Sequence, residues 1–165
     1  MKNEEVIHLF MDNAAKVAAE PVRIANLSEM NQILGKILEN DTAIFCPNKT
    51  ELEKSVHIDP ARLVESFGDA TATVEEVVAG IAETGSIVVT SASGRAVQAS
   101  LLPAHHVALV SSDNIFNTLD EFFSTIPEDP PTNITLITGP SRTADIELTL
   151  TIGVHGPERV SIVIV

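Results

Sequence analysis

Ile134-Thr-Leu-Ile-Thr-Gly-Pro-Ser-Arg-Thr-Ala-Asp-Ile-Glu147 is the stretch on which the reading of this chain turns. A β-branched apolar run stops at Gly139 and Pro140, and hydroxyl and acidic residues suited to the first turn of a helix follow. Strand, tight turn and helix in that order form the repeating unit of an α/β sheet. The turn at Gly139 then lies at a strand's carboxyl end, the rim where open α/β folds place ligand crevices. Ser141 or Thr143 as the helix cap leaves backbone N–H groups free for an anion, with Arg142 close by. Helical spacing sets Ser141 beside Asp145 and Thr143 beside Glu147. Capping and complementation of the helix dipole explain the same residues without any ligand.

Working outward, short β-branched runs alternate with longer amphipathic stretches. Strands are expected at Val22–Ala25, Ala43–Cys46, Ile87–Thr90, His106–Val110, Ile134–Thr138 and Ser161–Val165. Several lack polar alternation, as strands covered on both faces do. Ser28 is placed to cap a helix running to about Glu39, with Met30, Ile33, Leu34, Ile37 and Leu38 on one face. Thr73 and Glu76 stand at capping-box spacing before Val77, Val78 and Ile81, predicting a helix that stops near Gly85. Asn117 or Thr118 starts a helix over Leu119, Phe122, Phe123 and Ile126, closed by Pro127. Val6, Ile7, Phe10, Ala14 and Val17 give the first stretch a helical face, and the span from Cys46 to Gly68 reads as short helices and loops. The pattern predicts a mainly parallel sheet with helices packed on it, in a single domain over residues 1–165.

Composition narrows the function classes. With 165 residues and 44% hydrophobic content, the chain can fill one core. Ten Lys and Arg against 23 Asp and Glu give a formal net charge of -13, which repels a polyanion and argues against nucleic acid as a partner. The single cysteine, Cys46, cannot form an intramolecular disulfide, nor by itself hold an iron–sulfur cluster or a thiolate zinc site. Acidic residues interrupt Met1 to Glu20 and no apolar run reaches about 18 residues, so neither a signal peptide nor a membrane span is expected. These features predict a cytoplasmic protein.

Three further pieces carry candidate chemistry. In Gly153-Val-His-Gly-Pro157, two glycines and a proline fix a turn around His155, a candidate for acid–base or ligand work, or a turn histidine bonding a neighbouring carbonyl. Glu83-Thr-Gly-Ser-Ile-Val88 passes from a helix end into a strand, with Glu83, Thr84 and Ser86 at the connection. Leu101-Leu-Pro-Ala-His-His106 leads into another strand, where adjacent residues His105 and His106 point to opposite faces and so do not share one metal ion. No HExxH, P-loop or GxGxxG motif occurs.

Four runs in one order, Ala82–Val88, Ser100–His106, Ile137–Glu147 and Gly153–Pro157, resemble the LUD domain family, particularly the small LutC-type proteins. The resemblance covers about the last half of the chain. It implies a three-layer α/β fold with a mostly parallel sheet, NagB/RpiA/CoA-transferase-like, related to glucosamine-phosphate deaminase, ribose-phosphate isomerase and the CoA-transferases. It also implies a part in oxidising lactate to pyruvate alongside partner subunits that carry the iron–sulfur clusters, with no cofactor in this chain. Carried over by residue, it points to Glu83, Thr84 and Gly85, then His106, then Gly139, Pro140, Ser141, Thr143, Asp145, Ile146 and Glu147, then His155, Gly156 and Pro157. Glu147 and His155 are the candidate proton carriers. The N-terminal helix, residues 1–20, looks shorter than the family's usual lead. Two other functions are weighed against this one: a stand-alone enzyme or binding protein for an anionic small molecule such as a sugar phosphate or acyl-CoA, and a scaffold whose motif residues only shape turns.

Overall fold

The elements of the computed structural model, which describes residues 4–144, 150–152 and 156–165, follow one another in a β/α order with two strand-rich insertions. In the first half lie α1 (Glu4–Lys16), β1 (Glu20–Arg23), α2 (Leu27–Ile37), β2 (Ile44–Phe45), α3 (Glu51–Lys54), β3 (Ala72–Glu76) and β4 (Ala79–Ile81). Then come β5 (Ser86–Thr90), α4 (Gln98–Leu101), β6 (His105–Val110), β7 (Ile115–Phe116), α5 (Leu119–Phe123), β8 (Ile134–Ile137), β9 (Arg142–Ala144), β10 (Leu150–Ile152) and β11 (Arg159–Ile164). Five strands pair in parallel in the order β1-β11-β6-β3-β2. A second sheet, β7-β4-β5-β8, is antiparallel except where β4 meets β7.

Three layers result. On one face of the parallel sheet, Val74, Val107, Leu109 and Val163 pack on Met30, Leu34 and Leu38 of the α2 region. On the other, Ala108, Val110, Val160, Ile162 and Ile164 meet Ile7, Phe10 and Ala14 of α1 together with Ile87, Val89 and Ile137 of the second sheet. Neighbours in a strand point to opposite faces, so each apolar run serves both layers at once. The three-layer α/β fold with a parallel central sheet is as expected. Among the described residues no helix is long and apolar enough to cross a membrane.

Local differences have identifiable causes. The stretch after Thr71 forms β3 and β4 rather than a helix, because Val74 is buried, β3 pairs with β6 and β2, and β4 pairs with β5 and β7, so that strand pairing outweighs a capping-box signal. Gly85 does end an element, but it closes the β4–β5 hairpin, donating its N–H to Ile81 O at 2.8 Å. The helix expected after Gly139 is replaced by β9 and β10, which pair antiparallel; Thr-Ala-Asp-Ile-Glu-Leu-Thr-Leu-Thr-Ile alternates with period two. Consequently neither Ser141 nor Thr143 caps a helix there. Asn26, not Ser28, caps α2 by accepting from the Glu29 N–H at 3.0 Å. Thr118 caps α5 as expected, though the helix ends at Phe123, short of Pro127. Ile87–Thr90 and Ile134–Thr138 are strands of the second sheet, not of the parallel one.

Candidate functional site

Two of the four sequence motifs press on the carboxyl end of α1, and the described end of a third, Gly156 and Pro157, meets the second of them at Ser141. Gly85 and Gly139 both adopt left-handed backbone, with φ of 68° and 70°. A Cβ on Gly85 would lie 2.2 Å from Ala14 N, and one on Gly139 would lie 2.0 Å from Val17 O, so both turns press directly on the helix backbone. Thr84, Ser86 and Thr138 link their hydroxyls in a chain at 2.7 Å per step. Glu83 accepts from the Leu119 N–H at 2.7 Å and so holds the start of α5. Ser141 donates its N–H to Pro157 O at 2.8 Å, and a Cβ on Gly156 would come within 3.0 Å of Ser141 Cβ. The Gly139 and Pro157 turns therefore do meet. They meet at the amino end of β11, while β8 belongs to the other sheet, and Gly139 and Pro140 are buried. Arg142 is exposed on β9, and Thr143 is backbone-paired with Thr151. Asp145, Ile146, Glu147 and His155 lie outside the described residues.

The remaining motif residue, His106, leads to a different place. Its ring is fully buried on β6, with Nε2 3.0 Å from Glu75 Oε1 on β3. Ser100 of α4 donates to the same carboxylate oxygen, and Arg95 Nη1 stands 3.5 Å from Glu75 Oε2. Arg95 Nη2 reaches Glu53 Oε1 at 2.7 Å. Glu53, fully buried in α3, is fixed by backbone N–H groups of Lys49, Thr50 and Glu76 at 2.7, 3.3 and 2.8 Å. A buried carboxylate with that many donors is a supported charge rather than a stranded one.

Burial pushes the Glu75 carboxyl upward, but the hydrogen bond and charge of His106, then Ser100 and Arg95, outweigh it and hold the carboxyl below its ordinary value. Among the described residues, Arg95 Nη1, His106 Nδ1 and Thr73 Oγ1 are buried without a hydrogen-bond partner. Beside Arg95 and Glu75 lies a partly open cavity of about 110 Å³, lined also by Phe45, Phe67, Ala99 and Lys49. It sits at the carboxyl ends of β2 and β3, the rim expected to bear a crevice, two strands away from the turns expected to form it.

The other histidine faces the α2 layer. His105 Nδ1 is 2.8 Å from Asp41 Oδ2 and its Nε2 2.9 Å from Ser161 Oγ, a nucleophile–base–acid geometry in outline. Ser161 is fully buried, however, and lies 3.1 Å from the Glu20 carboxylate, which opposes charge developing on its oxygen. Arg159 ties Glu20 at 2.7 Å and donates to Ile37 O. The group reads as a polar tie joining β1, β6 and β11 to the turn before β2. Burial raises and the His105 bond more than offsets it at Asp41, whose carboxyl is held low; at Glu20 the Arg159 bond is the first cause of a lowered value. Among the described residues no group of His, Cys, Asp and Glu is placed to hold a metal ion.

Glu53, Glu75 and Arg95 carry no motif signature, and the helical reading of residues 73–81 hides Glu75. Once residues 72–76 are a strand, a carboxylate alternating with Val74 on a two-sided sheet is the signal that marks it as buried.

A match to the LUD domain model spans residues 61–165, which includes Glu75, Arg95, Ser100 and His106. The chain belongs to the LUD domain family. This LUD protein is 30% identical over 123 residues to lactate utilization protein C of Halalkalibacterium halodurans, covering 71% of the chain and 54% of that protein. It is 40% identical over 91 residues to lactate utilization protein C of Macrococcus caseolyticus, covering 52% of the chain and 39% of the relative. The chain thus spans about half the length, or less, of the curated relatives it matches. The crystal structure of a DUF162 family protein from Deinococcus radiodurans superposes with a TM-score of 0.74 at 20% identity, covering 99% of this LUD chain and 98% of that one, which supports the fold alone.

Proposed function

We propose that this LUD protein works in lactate utilisation as a subunit without iron–sulfur clusters, holding a small anionic molecule in the cavity beside Arg95 while cluster-bearing partners carry electrons. The relatives' shared name supports the setting. The single cysteine supports the division of labour: burial pushes the Cys46 thiol up to about 11, and metal ligation needs the thiolate. The observation that carries the reading is the partly open cavity lined by Arg95 and Glu75, with the buried His106 bonded to Glu75. Deleting the coding sequence should slow growth on lactate, and a tagged chain should recover cluster-bearing proteins from cells growing on it. Unchanged growth together with no such partner refutes the proposal.

A free-standing enzyme or binding protein for an anionic small molecule shares the same cavity. Its size argues against acyl-CoA there, since sites for ligands of that class run to roughly 300–1,000 Å³ and this one holds about 110 Å³. Full turnover of a small anion by the isolated chain would favour this second reading.

A further inference from the structure

Resting on the reading that the cavity beside Arg95 is the ligand seat, we propose that the turn Ala92–Gly94 is its gate and that Lys49 is the latch that keeps the gate shut. The turn lies in the connection from β5 to α4 and borders the cavity where Gly94 and Arg95 line it. Both of its ends are anchored. Ser91 donates its N–H to Asn133 O at 3.1 Å, and its Oγ accepts from the Asn133 N–H at 3.0 Å, which fixes the start of the connection to the residue before β8. At the other end Arg95 reaches Glu53 at 2.7 Å and stands 3.5 Å from Glu75. Withdrawing Arg95 would leave the fully buried Glu53 carboxylate without its cation, so the moving part ends before Arg95.

Between the anchors little holds the chain. Ala92, Ser93 and Gly94 are all exposed and contribute no side chain to the core. Ser93 and Gly94 are both left-handed, with φ of 56° and 68°, a region that a serine adopts only under constraint. Within the turn, the Arg95 N–H donates to Ala92 O at 3.2 Å, and the Ala92 N–H meets Thr90 Oγ1 at 3.4 Å. The constraint comes from Lys49, whose Nζ donates to Ser93 O at 3.1 Å and to Gly94 O at 2.7 Å. Carbonyls of successive residues converge on one ammonium only while the turn keeps this shape. Glu53 steadies the latch as it does the anchor, accepting from the Lys49 N–H at 2.7 Å as well as from Arg95. A strained, exposed turn closed by one flexible side chain between two fixed ends is a two-state element. With the ammonium withdrawn, Ser93 relaxes toward ordinary backbone angles and the cavity's rim opens beside Gly94.

Two rates read the gate in the full chain. Exchange of the Arg95 amide with water, followed by NMR, reports the turn, because that N–H is bonded across it. Alkylation by neutral iodoacetamide reports passage into the cavity, using Ala99→Cys to place a thiol on the buried wall in a Cys46→Ala background. Lys49→Met removes the latch at similar length and should speed both rates at least about fivefold. Lys49→Arg keeps donors for both carbonyls and should return both rates close to wild type. Ser93→Gly relieves the strain of the shut state and should slow both about fivefold. Amide exchange in β6 should stay the same in every variant, which separates a local gate from general loosening. An Arg95 amide unmoved by Lys49→Met, acceleration that extends equally to β6, unchanged or faster exchange in Ser93→Gly, or alkylation that does not follow the amide each overturns the proposal. Neither rate needs a ligand: a working gate beside normal growth of the deletion strain would remove the cellular role and keep the gate, and a static turn beside a growth defect would do the reverse.

Discussion

A single atom separates Gly139 from any other residue. Its Cβ would fall 2.0 Å from Val17 O, and the backbone there has φ of 70°. Gly139→Ala should therefore destabilise the fold by at least about 1–3 kcal/mol, the cost of left-handed strain alone, before α1 is displaced. Urea unfolding checks this, and an unchanged midpoint would remove the packing account of the motif. Gly35 provides the opposite case. It sits within α2, and a methyl group added there meets no atom within 4 Å, so Gly35→Ala should stabilise by about 0.4–1 kcal/mol through helix propensity and a less disordered unfolded chain. The same argument explains why a motif can mark packing and not chemistry: Glu83, Gly85, Gly139 and Gly156 all answer to neighbours in the fold.

At the scale of elements, α1 is the joint between the two sheets. Phe10 is fully buried, shares a cluster with Ile162 and Ile87, and approaches Gly80 so closely that a Cβ there would meet its ring at 3.0 Å. Phe10→Ala should cost about 3–5 kcal/mol, measured by denaturant midpoint, since neither sheet can move in to fill the void; a cost below about 1 kcal/mol would show that α1 is not the joint. The parallel core is legible in the sequence because β6 and β11 carry residues 107–110 and 162–164, short aliphatic stretches without polar alternation, as strands covered on both faces do. Two segments are not. In 72–81 the valines suit a buried helix or a strand equally, and pairing decides it, of β3 with β6 and of β4 with β5 and β7. In 142–152 the acidic residues mimic a helix's first turn, while the alternation of Thr, Ile and Leu is the signal that β9 and β10 follow. The candidate site is only partly legible for the same reason: His106 and its separation from His105 can be read locally, but its partners Glu75, Arg95 and Glu53 come from three elements that no local pattern joins.

For the molecule as a whole, acid should unfold it, and the sign can be worked out. Glu75 and Asp41 are nearly buried carboxyls whose folded values are depressed, so the stability they contribute is fully present above the ordinary carboxylate range and is lost as pH falls through their folded values. Loss should begin below about pH 5 and continue well under pH 4. Glu20 acts in the same direction, but it is half exposed and solvent screens it. A net charge of -13 pulls the other way, because protonating surface carboxylates relieves self-repulsion. Salt separates the two: at about 0.15 M the screening length of about 8 Å suppresses the surface repulsion and leaves buried pairs nearly untouched. Urea midpoints at that salt should therefore fall steadily from about pH 7 toward about pH 3.5, and Glu75→Gln, less stable at neutral pH, should show a shallower decline so that its curve approaches the wild type's on acidification. Parallel curves would mean that Glu75 is not what ties the acid response of the fold to the cavity's floor.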